Sequence, residues 1–234
     1  MDKLQKYKPT DKMIDLIGDN YSLLQVMSRF GLSLGFGDKT VKEVCEMNNV
    51  DCQTFLVVVN FMAEGFSRMD GSADDISILA LVDYLRQAHI YFLDYCLPAI
   101  RRKLIEAIDC SQDDVSFLIL KFFDGYMREV RKHMEYEEKT VFKYVDTLIH
   151  GNAPKNYQIS TFSKHHDQVG ERLTELKNII IKYCPAKANT NVLNAALFDI
   201  YACEEGLESH CKVEDYLFVP AILKLERRMR ENEK

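Results

Sequence analysis

Two short segments of this 234-residue chain carry the same chemistry-bearing step. His133-Met-Glu-Tyr-Glu137-Glu138 is followed 77 residues later by His210-Cys-Lys-Val-Glu214-Asp215. Each places an imidazole and a carboxylate at i and i+4, so both project from one helix face about one turn apart. His89 and His166 are separated by the same 77 residues. Imidazole with carboxylate suits iron, manganese or zinc, whereas an all-oxygen set would suit magnesium or calcium. Two carboxylates and four histidines exceed one tetrahedral zinc site. They match a dinuclear centre in which each metal has histidines and the two glutamates bridge. Such a centre leaves coordination positions for an oxo group, O2, NO or peroxide.

A single His-x3-Glu pair is ordinarily a surface contact, so the case rests on what positions the six residues together. Four long amphipathic segments are predicted after a polar break at Asp70-Gly71-Ser72-Ala73-Asp74-Asp75. The first runs over about 76–109. Ser111-Gln-Asp-Asp114 resembles a capping box, with Asp in place of Glu or Gln, and opens the second. That segment ends at His150-Gly151, with Gly151 as its C-cap, Pro154 just beyond and His150 as a partner of the helix dipole. The third starts near Asn156 and stops at Cys184-Pro185, because proline cannot continue a helix. The fourth runs from about 190 to 229. Short loops between long helices imply antiparallel neighbours in an up-down four-helix bundle.

The histidines test that layout. In an antiparallel hairpin, residues equidistant from the turn lie at one height. His89 and His133 average to residue 111, where capping alone places the first turn. His133 and His166 average to 149.5, against a break at about 151–155, and His166 with His210 average to 188, between Pro185 and Asn189. The four imidazoles can therefore share one level, about 25–33 Å from their turns at 1.5 Å per residue. The second and fourth helices run parallel. Glu137 and Glu214 are then displaced the same way from that level and can meet between the histidine pairs. His165 lies about 100° round the helix from His166 and reads as a supporting or surface residue, with an extra ligand as the alternative. Glu138 and Asp215, which also repeat, lie about 100° off the ligand face and read as supporting or solvated. Glu204, Glu205 and Glu208 form an acidic helix face, with Glu208 the nearest of them to the site.

Before the bundle, residues 1–69 read as a small helical domain, with helices at about 11–18, 20–30, 40–48 and 52–65. Asp51 is a plausible N-cap of the last. The bundle domain is assigned to 76–229. Gly31-Leu-Ser-Leu-Gly-Phe-Gly-Asp-Lys39-Thr40 has the glycines of a phosphate loop but not its order, because Asp38 separates Gly37 from Lys39. A turn with helix caps is expected there instead. Hydrophobic residues make up 47% and charged residues 28%, the balance of a globular chain rather than a disordered one. The net charge of −6 and the absence of a long basic block argue against nucleic acid as a partner. Seven cysteines, an odd number with no C-x-x-C pair, indicate reduced thiols. The start of the chain lacks an apolar signal region, and the most apolar run, Phe55 to Met62, is too short to span a bilayer. A cytoplasmic protein without membrane contact is the resulting expectation. Oligomerisation is left open.

Taken together these features resemble the hemerythrin-like (HHE) family. The resemblance rests on the H-x3-E segments followed by Val141-Phe142 and by Leu217-Phe218-Val219-Pro220, on His89 leading into Leu97-Pro98, and on His165-His166-Asp167. It covers roughly residues 79–225. It implies a non-haem di-iron centre with His89, His133, His166 and His210 as terminal ligands and Glu137 and Glu214 as bridges. Within the family the chain is most similar to the two-domain proteins for repair of iron-sulfur centres, which carry a short helical domain before the bundle. Those have a cysteine pair in the N-terminal loop. Leu34-Gly35-Phe36-Gly37-Asp38-Lys39 has none, leaving Cys45 or Cys52 as the nearest thiols. The family also often has two histidines before its Leu-Pro, where this chain has His89-Ile90.

The resemblance implies a role in the oxidative or nitrosative stress response, restoring iron-sulfur clusters in partner proteins or reacting with O2, NO or peroxide. The alternative is a module that binds O2 or NO reversibly and signals through its N-terminal domain. A metal-free helical interaction protein is the third reading.

Overall fold

The computed structural model describes residues 6–64, 76–108, 114–152, 157–164, 169–185 and 188–232. It is all-α, a helical bundle with a helical N-terminal part, as the sequence predicts. No strand occurs among the described residues, which show only an isolated bridge between Lys12 and Thr40. In chain order the helices are α1 (Met13–Asp19), α2 (Leu23–Arg29), α3 (Val41–Met47), α4 (Cys52–Glu64), α5 (Ile78–Ile90), α6 (Leu97–Ala107), α7 (Asp114–Tyr136), α8 (Phe142–Ile149), α9 (Val169–Tyr183), α10 (Thr190–Val213) and α11 (Val219–Asn232). Among the described residues three junctions are π-helical: Tyr91–Cys96 between α5 and α6, Glu137–Val141 between α7 and α8, and Glu214–Phe218 between α10 and α11. The chain divides into two compact units, Met1–Ala88 with Lys212–Lys234, and His89–Cys211.

The first unit begins with short helices, of which α3 and then α4 carry side-chain caps. Thr40 accepts a hydrogen bond from the Glu43 backbone N–H, and the Glu43 carboxylate accepts from the Thr40 N–H at 2.8 Å, closing a capping box on α3. Asp51 caps α4 through a 2.7 Å bond from the Thr54 N–H. The glycine-rich stretch is a turn, with Gly31, Gly35 and Gly37 at positive φ. Residues 54–61 of α4 are buried on every side, which marks it as the central helix of this part. Asn60, the one amide in that run, both accepts from and donates to the Tyr7 backbone, at 2.7 and 3.0 Å. Its polar group is therefore satisfied inside the core.

The second unit is built on amphipathic stripes. On α7 the buried residues Ser116, Ile119, Phe123, Tyr126, Val130 and Met134 recur every three or four positions. On α10 the stripe is Ala196, Ile200, Cys203, Leu207 and His210, so His210 occupies a position that spacing would otherwise give to an apolar side chain. The Asn189 N–H donates to the Ala107 carbonyl at 2.8 Å, bringing the end of α6 to the start of α10. Arg101 forks onto Asp124 at 2.6 and 3.2 Å, and Lys103 reaches Asp199 at 2.6 Å. Lys177 pairs with Glu204, joining α9 to α10. The described cysteines are thiols. Cys203 hydrogen-bonds Cys96, and that contact together with burial pushes its thiol well above the usual range.

Two sequence expectations change. The third long segment is not one α-helix from about 156, since Ile159–Lys164 is a 3-10 helix and α9 starts at Val169. Serines and β-branched residues there are weak α-formers, and buried Ile159 and Phe162, three apart, fit the tighter turn. The other three segments are not plain α-helices either, because each contains a π turn. The expected capping box at 111–114 falls mostly outside the described residues, as does the polar break at 70–75. At the far end of the second segment Gly151 has φ 82°, and the His150 imidazole bonds the Asp146 carbonyl at 2.8 Å, closing α8 as expected.

Candidate metal centre

The π turns begin where the chemistry sits. Glu137 and Glu214 are each the first residue of one, and His89 precedes the third by two residues. The 77-residue repeat is therefore structural as well as chemical, since Glu137–Val141 and Glu214–Phe218 correspond position for position. Each bulge inserts one residue and shifts the buried stripe, so apolar residues fall at i+4 and i+5. Phe92 is followed by buried Cys96 and Leu97, Glu137 by Val141 and Phe142, Glu214 by Phe218 and Val219. Without that shift the residues after each ligand would turn their apolar side toward solvent.

Glu137 is fully buried and touches two imidazoles. His89 Nε2 lies 2.8 Å from its Oε2, and His133 Nε2 lies 2.8 Å from its Oε1. His89 is held on its other edge as well, with Nδ1 2.9 Å from Glu138 Oε1. Its ring stacks on Phe142 at 5.5 Å and 12°. The His89 and His210 rings meet edge to face at 5.2 Å, and Phe92 lies 6.1 Å from His210. Beyond Glu137, the Tyr157 hydroxyl meets that of Tyr136 at 3.2 Å, and burial pushes the Tyr157 phenol up.

Of the six expected ligands, His89, Glu137, His210 and Glu214 each present one donor atom within 4.8 Å of the others, and all four are buried. His133 is partly buried and joins through Glu137 rather than as a member of that group of four. His166 and His165 lie outside the described residues. Glu138 is in contact with His89. Glu205 and Glu208 are exposed, and Glu204 is engaged with Lys177 and Thr174, so the acidic face reads as the sequence suggested. Glu138 takes the supporting one of the two places the sequence offers it, against His89, whereas the π turns were not expected from the sequence. The doublets Val141-Phe142 and Phe218-Val219 are the footprint that could have revealed the bulges.

The donor set fits a cation. Two carboxylates buried this close cost several kcal/mol if ionised and uncompensated, on the order of the penalty for any buried charge. Metal–ligand bonds of about 2.0–2.2 Å to nitrogen and oxygen place donors on one ion no more than about 4.4 Å apart. A 4.8 Å spread is within a small movement of that span. With the further imidazole of His133, the donors exceed what one four-coordinate ion takes.

The helical fold and this buried histidine–glutamate cluster define an all-α protein with a site compatible with metal binding. Residues 80–222 match the family described as hemerythrin HHE cation binding domain. The match covers more than half of the chain, which belongs to the hemerythrin HHE family. No curated protein matches it. No described helix is long and apolar enough to cross a membrane.

Proposed function

We propose that this protein is a non-haem di-iron protein that acts in the oxidative or nitrosative stress response by helping to repair iron-sulfur clusters. Its ligands would be His89, His133, His166 and His210 as terminal groups, with Glu137 and Glu214 as bridges. The observation that carries the metal reading is the close approach of two wholly buried glutamates and two buried imidazoles. When bound, a pair of iron ions supplies oxidisable centres with positions open to O2, NO or peroxide. The chain's own residues fix and dry the site. Glu137 holds two imidazoles at once, Phe142 stacks on His89, and Phe92 packs against His210.

The repair role draws its support from the resemblance and from one further contact. The thiols of Cys45 near the end of α3 and Cys52 at the start of α4 lie side by side, close enough for Cys52 to add to the upward shift at Cys45. A thiol pair is thus present in the N-terminal helices, although not in the loop where the repair proteins carry theirs. The domain assignment that goes with this reading is 1–69 for the N-terminal part and 76–229 for the bundle. The test is recovery of activity by a cluster-damaged enzyme on addition of the iron-loaded protein. Recovery that is lost in Glu137→Ala supports repair. Reversible O2 or NO binding without any recovery favours the sensing alternative.

A further inference from the structure

The π turn between α7 and α8, with the first residue of α8, grips His89 on three sides. Glu137 faces Nε2, Glu138 faces Nδ1, and Phe142 covers the ring. In a regular α-helix, residues five apart point well away from each other. The wider i→i+5 turn brings Glu137 and Phe142 to the same side and leaves Glu138 at their edge. One short segment therefore provides a ligand, an orienting carboxylate and a stacking surface for an imidazole on a different helix.

We propose that Glu138 is a positioning residue for His89. It accepts a hydrogen bond from Nδ1–H, which turns the Nε2 lone pair toward Glu137 and the metal. The inference rests on the metal reading above. A metal-bound histidine characteristically donates its second N–H to a carboxylate or carbonyl, which fixes the tautomer and the ring. The 2.9 Å separation is that of an N–H···O hydrogen bond. Glu138 differs from Glu137 in exposure, with 36% of its side chain reached by solvent against 0%. It therefore orients from the rim of the site rather than from its interior.

The test uses the full-length chain, zinc as the probe, and the variants Glu138→Ala and Glu138→Gln. Zinc affinity is read by competition with a chromophoric chelator. The His89 Nδ1–H signal is read by NMR of zinc-loaded, 15N-histidine-labelled protein, and the melting temperature is read on metal-free protein. Glu138→Ala is expected to lose about 10–100-fold in affinity and to lose the protected Nδ1–H signal, with an unchanged metal-free melting temperature. Glu138→Gln keeps an acceptor oxygen, so it is expected to retain the signal and most of the affinity. Zinc bound equally well by wild type and Glu138→Ala, with the same signal, overturns the proposal while leaving the metal reading intact. Equal losses in both variants with a lowered metal-free melting temperature also overturn it, because they indicate a structural role. A wild type that binds no zinc and no iron overturns the metal reading and the proposal together.

Discussion

Replacing Glu137 by glutamine keeps the side chain's size and removes its charge. Glu137 is wholly buried and contacts His89 and His133 at 2.8 Å each. Losing an outer partner of a metal ligand typically costs about 10–100-fold in affinity, and Glu137 is itself a proposed ligand, so about a hundredfold is a reasonable minimum. Binding to the native state adds RT ln(1 + [L]/Kd), about 2.7 kcal/mol when free metal is 100 times Kd. A hundredfold weaker variant at the same metal concentration retains RT ln 2, about 0.4 kcal/mol. The difference of about 2.3 kcal/mol corresponds to about 5–9 °C in Tm for a chain of this length, at about 2–4 °C per kcal/mol. The assay compares the metal-induced rise in Tm for wild type and Glu137→Gln, each measured against its own metal-free form. That subtraction removes whatever the substitution does to the empty site. Equal rises in the two proteins would mean that Glu137 contributes nothing to holding the ion.

Glu214→Gln, the repeat-related change, is expected to lower the metal-induced rise in Tm by a similar amount; an unaffected rise would mean that the two halves of the repeat are not equivalent. Thr40→Ala removes the cap of α3 and is expected to cost about 1 kcal/mol, read by urea denaturation; no loss would mean that the capping box contributes nothing to stability. Glu43, held below the usual carboxylate range first by the Thr40 backbone N–H and then by its hydroxyl, contributes stability that is present above its unfolded pKa and lost as pH falls through its lower folded one. Glu43→Gln should therefore flatten the acid limb of the stability profile, and an unchanged limb would contradict this. Burial pushes the Cys45 thiol well up, with the Cys52 thiol beside it adding to the shift, so Cys45 should resist alkylation at neutral pH in the folded protein and react on unfolding. Rapid labelling of native Cys45, followed by mass spectrometry, would count against that placement.

Much of the site was legible in the sequence because its governing features are periodic. The i, i+4 spacing of His133 with Glu137 and of His210 with Glu214 needs only a helix to put each pair on one face. The common offset of 77 needs only two similar hairpins. Turn signals such as Gly151 and Pro185 fixed the segment ends within a few residues. The π turns were not legible as such, because a single inserted residue leaves the hydrophobic pattern close to that of an α-helix. Their trace is the paired apolar residues after each ligand, which a period of 3.6 explains less well than a local widening. A supporting place for Glu138 was legible in the repeat, but its contact with His89 was not. That contact joins residues 49 apart and depends on how α5 and the π turn after α7 face each other, which neither helix's own pattern specifies. The 3-10 helix at Ile159–Lys164 likewise reflects the burial of Ile159 and Phe162 overriding a longer helical pattern.

The central claim is that the side chains converging on Glu137 and Glu214 hold two metal ions in one chain. Metal analysis of anaerobically purified protein, combined with its absorption spectrum after exposure to O2, tests this most directly. About two iron ions per chain and oxo-bridged di-iron absorption bands are expected, both lost in Glu137→Ala. Protein that folds normally yet carries no metal, and takes up none when iron, manganese or zinc is added, would contradict it.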